Sequence, residues 1–133
     1  MIEQINVICG IIVDGDKIYC EKPKKDNIFD LWNFISAPVF DFEQRFEVLK
    51  EKVRKKLKAE IIEIEEFEQT TYSQISMPVV TYSYICKISP NYKIPRSCNG
   101  GFYSKDEIRR MNLTPVHYEI FSDYIEKYPK INK

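Results

Sequence analysis

The sequence is poor in the residues that build metal centres. Its 133 residues include four cysteines and one histidine, and the cysteines form no Cys-x-x-Cys pair. Because structural zinc sites take four Cys or His ligands at short spacing, this distribution speaks against a zinc site. We interpret Cys9, Cys20 and Cys86, which lie in strand-like runs, as reduced packing residues. Cys98 lies in a glycine-containing loop and is a candidate reactive thiol.

Neither sign of charge is in excess, and no long apolar run occurs. Twenty Lys and Arg residues balance twenty Asp and Glu residues, giving a formal net charge of zero. General electrostatic attraction to nucleic acid or to an anionic membrane is therefore absent, and we expect neither partner. The apolar run Gly10–Val13 is far too short to span a bilayer, and the first residues lack a basic segment leading into an apolar one. We expect a cytoplasmic protein.

A length of 133 residues and a hydrophobic content of 44% suit one domain, residues 1–133, with a single core. Runs of β-forming residues predict five strands, with a hairpin turn between the first two at Asp14-Gly15-Asp16. The predicted strands are Ile5–Val13, Lys17–Glu21, Leu31–Ile35, Ile61–Tyr72 and Val79–Ile88. Pro38 is expected to close the third strand.

The clearest helix is Asp41–Lys58, in which apolar residues recur at steps of three and four and line one face. Those residues are Phe42, Phe46, Leu49, Val53 and Leu57. Asp41 is the predicted N-cap. Ser104 and Glu107 form a capping box that opens a short helix, and Thr114-Pro115 predicts the start of the last helix. This order of elements predicts an α/β (α+β) fold, a mixed sheet sandwiched between helices.

Four segments, taken in order, resemble the Nudix hydrolase family and in particular its MutT-like branch. The opening INVICGIIVDGDKIYCEK resembles the family's first strands, and LWNF resembles the aromatic strand before its signature loop. GFYSKDEI and LTPVHYEIF resemble the aromatic-Ser-x-x-Glu-apolar and Pro-apolar-Asn/Asp segments of the MutT-like branch. The resemblance covers nearly the whole chain. It implies the Nudix fold and, in the family, metal-dependent hydrolysis of a pyrophosphate bond.

The family signature is Gly, five residues, Glu, seven residues, then Arg-Glu-apolar-any-Glu-Glu-any-Gly-apolar. On this chain its first Gly falls on Ala37, its first Glu on Glu43 and its Arg on Glu51. The two apolar positions of the signature fall on Val53 and Ala59, and the later Gly falls on Lys58. Few of the defining residues are kept, so the signature is degenerate.

The resemblance places the three metal-binding glutamates of the family on Lys52, Lys55 and Lys56. Glutamates one helical turn apart hold divalent cations, which bind pyrophosphate and lower the pKa of the attacking water. A cation about 4 Å from one ammonium, at an effective dielectric of about 20, meets repulsion of about 4 kcal/mol per unit charge. The acid that relatives carry three residues before Phe102 is replaced here by Asn99. We therefore expect no catalytic residue at the usual positions, no metal and no cofactor.

Six basic residues near the end of the long helix allow two interpretations. They are Lys50, Lys52, Arg54, Lys55, Lys56 and Lys58. They can bind phosphate groups directly, without a metal ion. Alternatively, cations in the last turns of a helix complement its macrodipole, remain solvated and pair with the glutamates that follow. Both interpretations stay open from the sequence.

His117 and Phe102 are candidate ligand-binding residues by the same resemblance. His117 occupies the position of an Asn or Asp that hydrogen-bonds a nucleobase edge, which an imidazole can also do. The alternative is a partly exposed histidine at a helix start. Phe102 belongs to a set of aromatic residues that can stack on a base or, at strand spacing, form core. The others are Tyr72, Tyr82, Tyr84 and Tyr103.

Three functions are consistent with these features. The first is a catalytically silent Nudix-fold protein that binds a nucleotide or other phosphorylated ligand through the three lysines. The second is an active hydrolase of nucleoside di- or triphosphates that uses Mg or Mn and rearranged carboxylates, Glu43, Glu47 and Glu51. The third is a protein-interaction module, as a homodimer or with another protein, using the lysine face or the loop Ser89–Gly101.

Overall fold

The computed structural model describes residues 4–23, 29–73, 77–95 and 99–129. Its strands are β1 Ile5–Asp14, β2 Lys17–Glu21, β3 Ile35–Val39, β4 Ile61–Ser73, β5 Pro78–Ile88 and β6 Gly100–Ser104. Its α-helices are α1 Arg45–Leu57, α2 Lys105–Arg109 and α3 Pro115–Lys127. No helix in the described residues is long and apolar enough to cross a membrane.

The strands form one mixed sheet, as the sequence predicts, with β1 near its centre and with β6 as a strand that the sequence did not predict. The order is β4-β5-β1-β2-β6, with β3 pairing β1 beside this path. β1 runs parallel to β5 along most of its length. On its other edge β1 pairs antiparallel with β3 over its first half and with β2 at its end. This arrangement brings β3 and the end of β2 to the same side of β1.

Helices cover both faces of the sheet. Side chains of β1 point alternately to opposite sides, so each face presents apolar residues for helices to cover. Ile8 and Ile12 belong to the core beneath α1, together with the apolar stripe of that helix. Cys9 and Ile11 belong to the core beneath α2 and α3. Cys9, Cys20 and Cys86 are buried free thiols, as predicted, whereas Cys98 lies outside the described residues. The predicted α/β sandwich is confirmed.

The third strand is displaced from its predicted position. Leu31–Ile35 was the expected strand and Pro38 its end, but β3 begins at Ile35 and contains Pro38. Trp32 and Asn33 form only isolated bridges. Proline fits inside this strand because, within the described sheet, β3 pairs with β1 alone, so one edge needs no amide donors.

The three predicted N-cap residues lie where the sequence places them, and two of their side chains make a capping hydrogen bond. The Asp41 side chain accepts a hydrogen bond from the Glu43 amide at 3.1 Å, but it caps a short 3-10 turn, Phe42–Gln44, that precedes α1. Ser104 and Glu107 form the reciprocal capping box that opens α2. Thr114 precedes α3, as predicted, yet its side chain makes no capping hydrogen bond with that helix.

Candidate functional site

The lysines of α1 border a groove between this helix and β3, which we call the α1–β3 groove. Its volume is about 520 Å³. Ala37 of β3 lines one part of it, and the remaining lining residues belong to α1. Those helix residues are Glu47, Val48, Glu51, Lys52, Arg54 and Lys55. The groove therefore contains two of the three lysines that the Nudix resemblance places at the family's glutamate positions.

Most charged residues near the groove are paired within the protein. The Arg54 guanidinium donates to both carboxylate oxygens of Glu60, at 2.9 and 3.0 Å, and lies 3.3 Å from Glu51. The hydrogen bonds from Arg54 hold the pKa of Glu60 below its usual value. Lys50 lies 3.9 Å from Glu47. These exposed pairs each contribute little to stability, but they fix which charges are already balanced.

Lys52 and Lys55 differ from these neighbours. Lys52 is half-buried and Lys55 is exposed. Within the described part of the chain, neither has an acidic partner at ion-pair distance. Two ammonium groups therefore border the groove without an acidic partner among the described residues.

Lys56 has a different environment, although it is only one turn from Lys52. Its Nζ lies 2.9 Å from Glu21 Oε2 at the end of β2. The other oxygen of Glu21 accepts a hydrogen bond from the Tyr19 hydroxyl at 3.0 Å. The Glu21 side chain is only 13% exposed and that of Lys56 is 32% exposed, so the pair is mostly withdrawn from water.

The contact between Tyr19 and Glu21 needs a residue without a side chain on the neighbouring strand β6. Gly100 of β6 pairs with Glu21 in the β2–β6 ladder. A Cβ atom on Gly100 would lie 2.6 Å from the Tyr19 hydroxyl oxygen and 2.8 Å from the Cys20 carbonyl oxygen. Glycine is therefore required for Tyr19 to reach the Glu21 carboxylate. The carbonyl of Asn99, beside it, accepts a hydrogen bond from the Lys22 amide at 2.8 Å.

Three backbone and packing features agree with the placement of the degenerate signature. Val53 is fully buried and Ala59 is 4% exposed, as the signature's two apolar positions require. Lys58, which the resemblance places at the family's later glycine, ends α1 with φ 55° and ψ 42°. That left-handed conformation is the one glycine favours at a helix C-terminus.

The residues at these positions do not fit the divalent metal that the Nudix resemblance implies. An ammonium group has three donors and no lone pair, so Lys52, Lys55 and Lys56 cannot be ligands. Glu47 and Glu51 both line the groove, whereas Glu43 lies in the 3-10 turn before α1 and does not line it. No three acidic, His or Cys side chains among the described residues are grouped as a metal site would need. No metal-dependent step is therefore assigned to this site.

His117 lies in the core, so the alternative of a partly exposed histidine at a helix start is wrong. It is 6% exposed, and its ring stacks on Phe34 with centroids 5.6 Å apart. Nδ1 accepts a hydrogen bond from the Phe34 amide at 2.9 Å, so this nitrogen carries no proton. Burial lowers the pKa of His117 to about 4. A role of this neutral imidazole in binding a base stays a prediction.

Phe102 and the other aromatic residues are largely packing residues in the structure. Phe102 is half-buried and contacts Tyr19 and Tyr92, with ring centroids 5.6 and 4.8 Å away. Tyr84 is 2% exposed, whereas Tyr72 is 45% exposed. Of the five aromatics considered for stacking, Tyr72 offers the most open ring, and ligand binding by Phe102 stays a prediction.

Sequence reasoning missed Glu21 and Tyr19 as parts of this site. Both belong to β2, 35 or more positions before Lys56, and a strand of five residues carries no local mark of its distant partner. The one available signal is an acidic residue at the end of a strand that resembles the family's second strand. That signal does not identify a lysine on α1 as the partner.

The architecture matches solved Nudix structures. A MutT structure described for Aliivibrio salmonicida and Vibrio cholerae has a TM-score of 0.78 and 12% identity, covering 94% of this chain and 99% of that one. The MutT Nudix hydrolase of Burkholderia pseudomallei gives 0.74 and 13%, covering 90% and 97%. The Nudix domain of Shewanella oneidensis NrtR, solved with ADP-ribose, gives 0.74 and 15%, covering 96% and 90%. No protein-family model and no curated protein matches the sequence. The chain therefore has the Nudix fold, and at these identities the likeness concerns the fold alone.

Proposed function

We propose that this Nudix-fold protein binds a phosphorylated small molecule, such as a nucleotide, in the α1–β3 groove and does not hydrolyse it. The observation that carries the proposal is the pair of ammonium groups, Lys52 and Lys55, that lines this groove without internal counter-ions in the described residues. Hydrogen bonds between an ammonium and a phosphate oxygen are charge-assisted and stronger than neutral ones. The site therefore has the donors and the charge for an anion.

The same lysines oppose the usual chemistry of the fold. Each ammonium about 4 Å from a divalent cation adds repulsion of about 4 kcal/mol per unit charge at an effective dielectric of about 20. Without a metal, the attacking water keeps its high pKa and the pyrophosphate charge is not neutralised. Silence in hydrolysis and direct binding of phosphate follow from one change of sign at the same positions.

A solved neighbour supports the ligand class. The Nudix domain of Shewanella oneidensis NrtR was solved with ADP-ribose, so this fold binds a phosphorylated nucleoside compound in that protein. In the present chain Glu47 and Glu51 also line the groove, so the ligand must place its phosphate nearer Lys52 and Lys55. That requirement makes the two lysines the residues to test.

Thermal unfolding with nucleotides in EDTA tests the proposal. At about 100 times its Kd, a ligand that binds only the folded state adds about 2.7 kcal/mol, which raises the Tm by several degrees. We expect this rise for the wild type with AMP, ADP or ADP-ribose, and its loss in Lys52→Gln/Lys55→Gln. The matched control is Lys87→Gln/Lys127→Gln, which removes two lysines outside the groove. If no phosphorylated probe stabilises the wild type, or if both double variants respond alike, the proposal is wrong.

A second candidate is a hydrolase that uses Glu47 and Glu51, because both carboxylates line the groove four residues apart. Phosphate release from nucleoside di- and triphosphates, with Mg²⁺ or Mn²⁺, measures this activity directly. Glu47→Gln/Glu51→Gln must abolish it. Turnover that persists in this variant and in Glu43→Gln assigns the activity to other residues or to a contaminant.

A further inference from the structure

We propose that the α1–β3 groove binds its ligand through one phosphate group only, so that the further phosphates of a diphosphate or triphosphate chain add little to the affinity. This inference rests on the proposed function, because it specifies how many phosphate groups the groove binds. It depends on how many positive charges of α1 are available to bind a ligand. Glu21 binds one of these charges, that of Lys56.

The basic residues of α1 are mostly committed to internal partners. Arg54 is bound by Glu60 and Glu51. Lys50 is near Glu47, and Lys56 is bound by Glu21. Counting partners in the described part of the chain, this pairing leaves two ammonium groups at the groove, those of Lys52 and Lys55.

The two remaining groups suit one phosphate in both geometry and charge. Lys52 and Lys55 are three residues apart, so they are neighbours on one face of the helix, with Cβ atoms about 5–6 Å apart. Both long side chains can therefore reach oxygens of the same phosphate. A phosphomonoester carries a charge of about −1.5 to −2 at pH 7, which two ammonium groups balance.

Glu21 withholds the third ammonium. Lys56 lies four residues after Lys52 and would otherwise face the same side of the helix. The Glu21 carboxylate binds it at 2.9 Å, and the Tyr19 hydroxyl fixes that carboxylate from its other oxygen. Lys56 is accordingly not among the residues that line the groove.

A longer phosphate chain gains little at this site. Its additional charges would lie beyond the two available lysines and approach Glu47 and Glu51, which border the same groove. The negative phosphates and these two carboxylates would repel each other. The affinity of the wild type is therefore expected to stay nearly constant as phosphates are added to one nucleoside.

Calorimetric titration with AMP, ADP and ATP in EDTA tests whether the groove engages only one phosphate group. We expect the three wild-type Kd values to lie within about threefold, since a tenfold difference corresponds to about 1.4 kcal/mol. In Glu21→Gln the neutral amide keeps an acceptor for Tyr19 but releases Lys56, so ADP should bind about tenfold more tightly than AMP. Glu63→Gln, which removes the partner of Lys87 at 3.4 Å on β5, is the control and should keep the wild-type ratio.

Three outcomes overturn the inference. The first is a wild type that binds ATP more than tenfold more tightly than AMP, and the second is an unchanged ratio of ADP to AMP affinity in Glu21→Gln. In both cases nucleotides still bind, so the proposed function survives. The third is a wild type that binds none of the three nucleotides nor inorganic phosphate, which overturns the proposed function and this inference together.

Discussion

The Lys56 ammonium lies 2.9 Å from a carboxylate oxygen of Glu21 and joins the last turn of α1 to the end of β2. Lys56→Met should lower the free energy of unfolding by about 2 kcal/mol, because removing one partner leaves the other charge in a largely buried place. Urea unfolding of Lys56→Met, Glu21→Gln and the double variant measures this pair. The double variant should lose less stability than the two single losses added together; simple additivity would show that the pair is not coupled.

Gly100 leaves room for the Tyr19 hydroxyl, which hydrogen-bonds the Glu21 carboxylate of that ion pair. Gly100→Ala should cost about 1–3 kcal/mol, because the new methyl group would overlap the Tyr19 hydroxyl oxygen and the Cys20 carbonyl oxygen. Gly101→Ala is the matched control in the same strand, since its nearest neighbour is the far end of Tyr103 at 3.3 Å. Chemical denaturation compares the two. Equal losses in both variants would contradict the proposed close approach at Gly100.

Lys58 ends α1 in a conformation that side chains disfavour. With φ 55° it occupies the left-handed region, which costs roughly 1 kcal/mol for a residue other than glycine. Lys58→Gly should therefore stabilise the protein by about that amount. Lys50→Gly, in the interior of the same helix, should destabilise it by about 1 kcal/mol. The two Tm shifts should have opposite signs, and a loss of stability in Lys58→Gly would refute the assigned helix end.

His117 should make stability fall in mildly acidic solution. Burial lowers its pKa from 6.5 to about 4, so the unfolded chain takes up this proton at a higher pH than the folded protein does. The contribution of His117 is complete above pH 6.5 and is lost as the pH falls to about 4, by about 3 kcal/mol. His117→Asn does not titrate, so the difference in unfolding free energy between the wild type and this variant should change by that amount between pH 6.5 and 4.

Glu68 changes the unfolding free energy with pH in the opposite direction to His117. Comparing the wild type with His117→Asn removes this effect. Burial and the nearby Asp123 raise the pKa of Glu68 to about 7, so its contribution is lost as the pH rises from 4.5 to 7. The effect is present in both proteins and cancels in the difference between the wild type and His117→Asn. A difference that does not change between pH 6.5 and 4 would show that His117 is not buried in its neutral form.

Local patterns predicted most of the fold. Runs of β-forming residues identify β1, β2, β4 and β5, and the reciprocal bonds of Ser104 and Glu107 follow from their spacing alone. The failures occur where a distant strand decides the outcome. Pro38 reads as the end of a strand, yet it lies inside β3 because pairing with β1 requires donors on only one edge. A rule for proline that considers only nearby residues in the sequence cannot take the pairing with β1 into account.

The site was predicted only in part, for a similar reason. Periodicity and the family resemblance place Lys52 and Lys55 on one helix, and the groove contains both. The same reasoning groups Lys56 with them, although Glu21 on another element binds it. His117 shows the limit most clearly, because its burial is set by Phe34, 83 positions earlier. Which of several similar side chains is free depends on contacts between elements.

Binding of Mn²⁺, followed by electron paramagnetic resonance, tests most directly the claim that lysines have replaced the metal chemistry of this fold. The wild type should leave Mn²⁺ free in solution. Lys52→Glu/Lys55→Glu/Lys56→Glu, confirmed as folded by circular dichroism, should bind it, because the variant restores three carboxylates and leaves Glu21 beside the third. Stoichiometric Mn²⁺ binding by the wild type, or none by the folded triple variant, would contradict the claim.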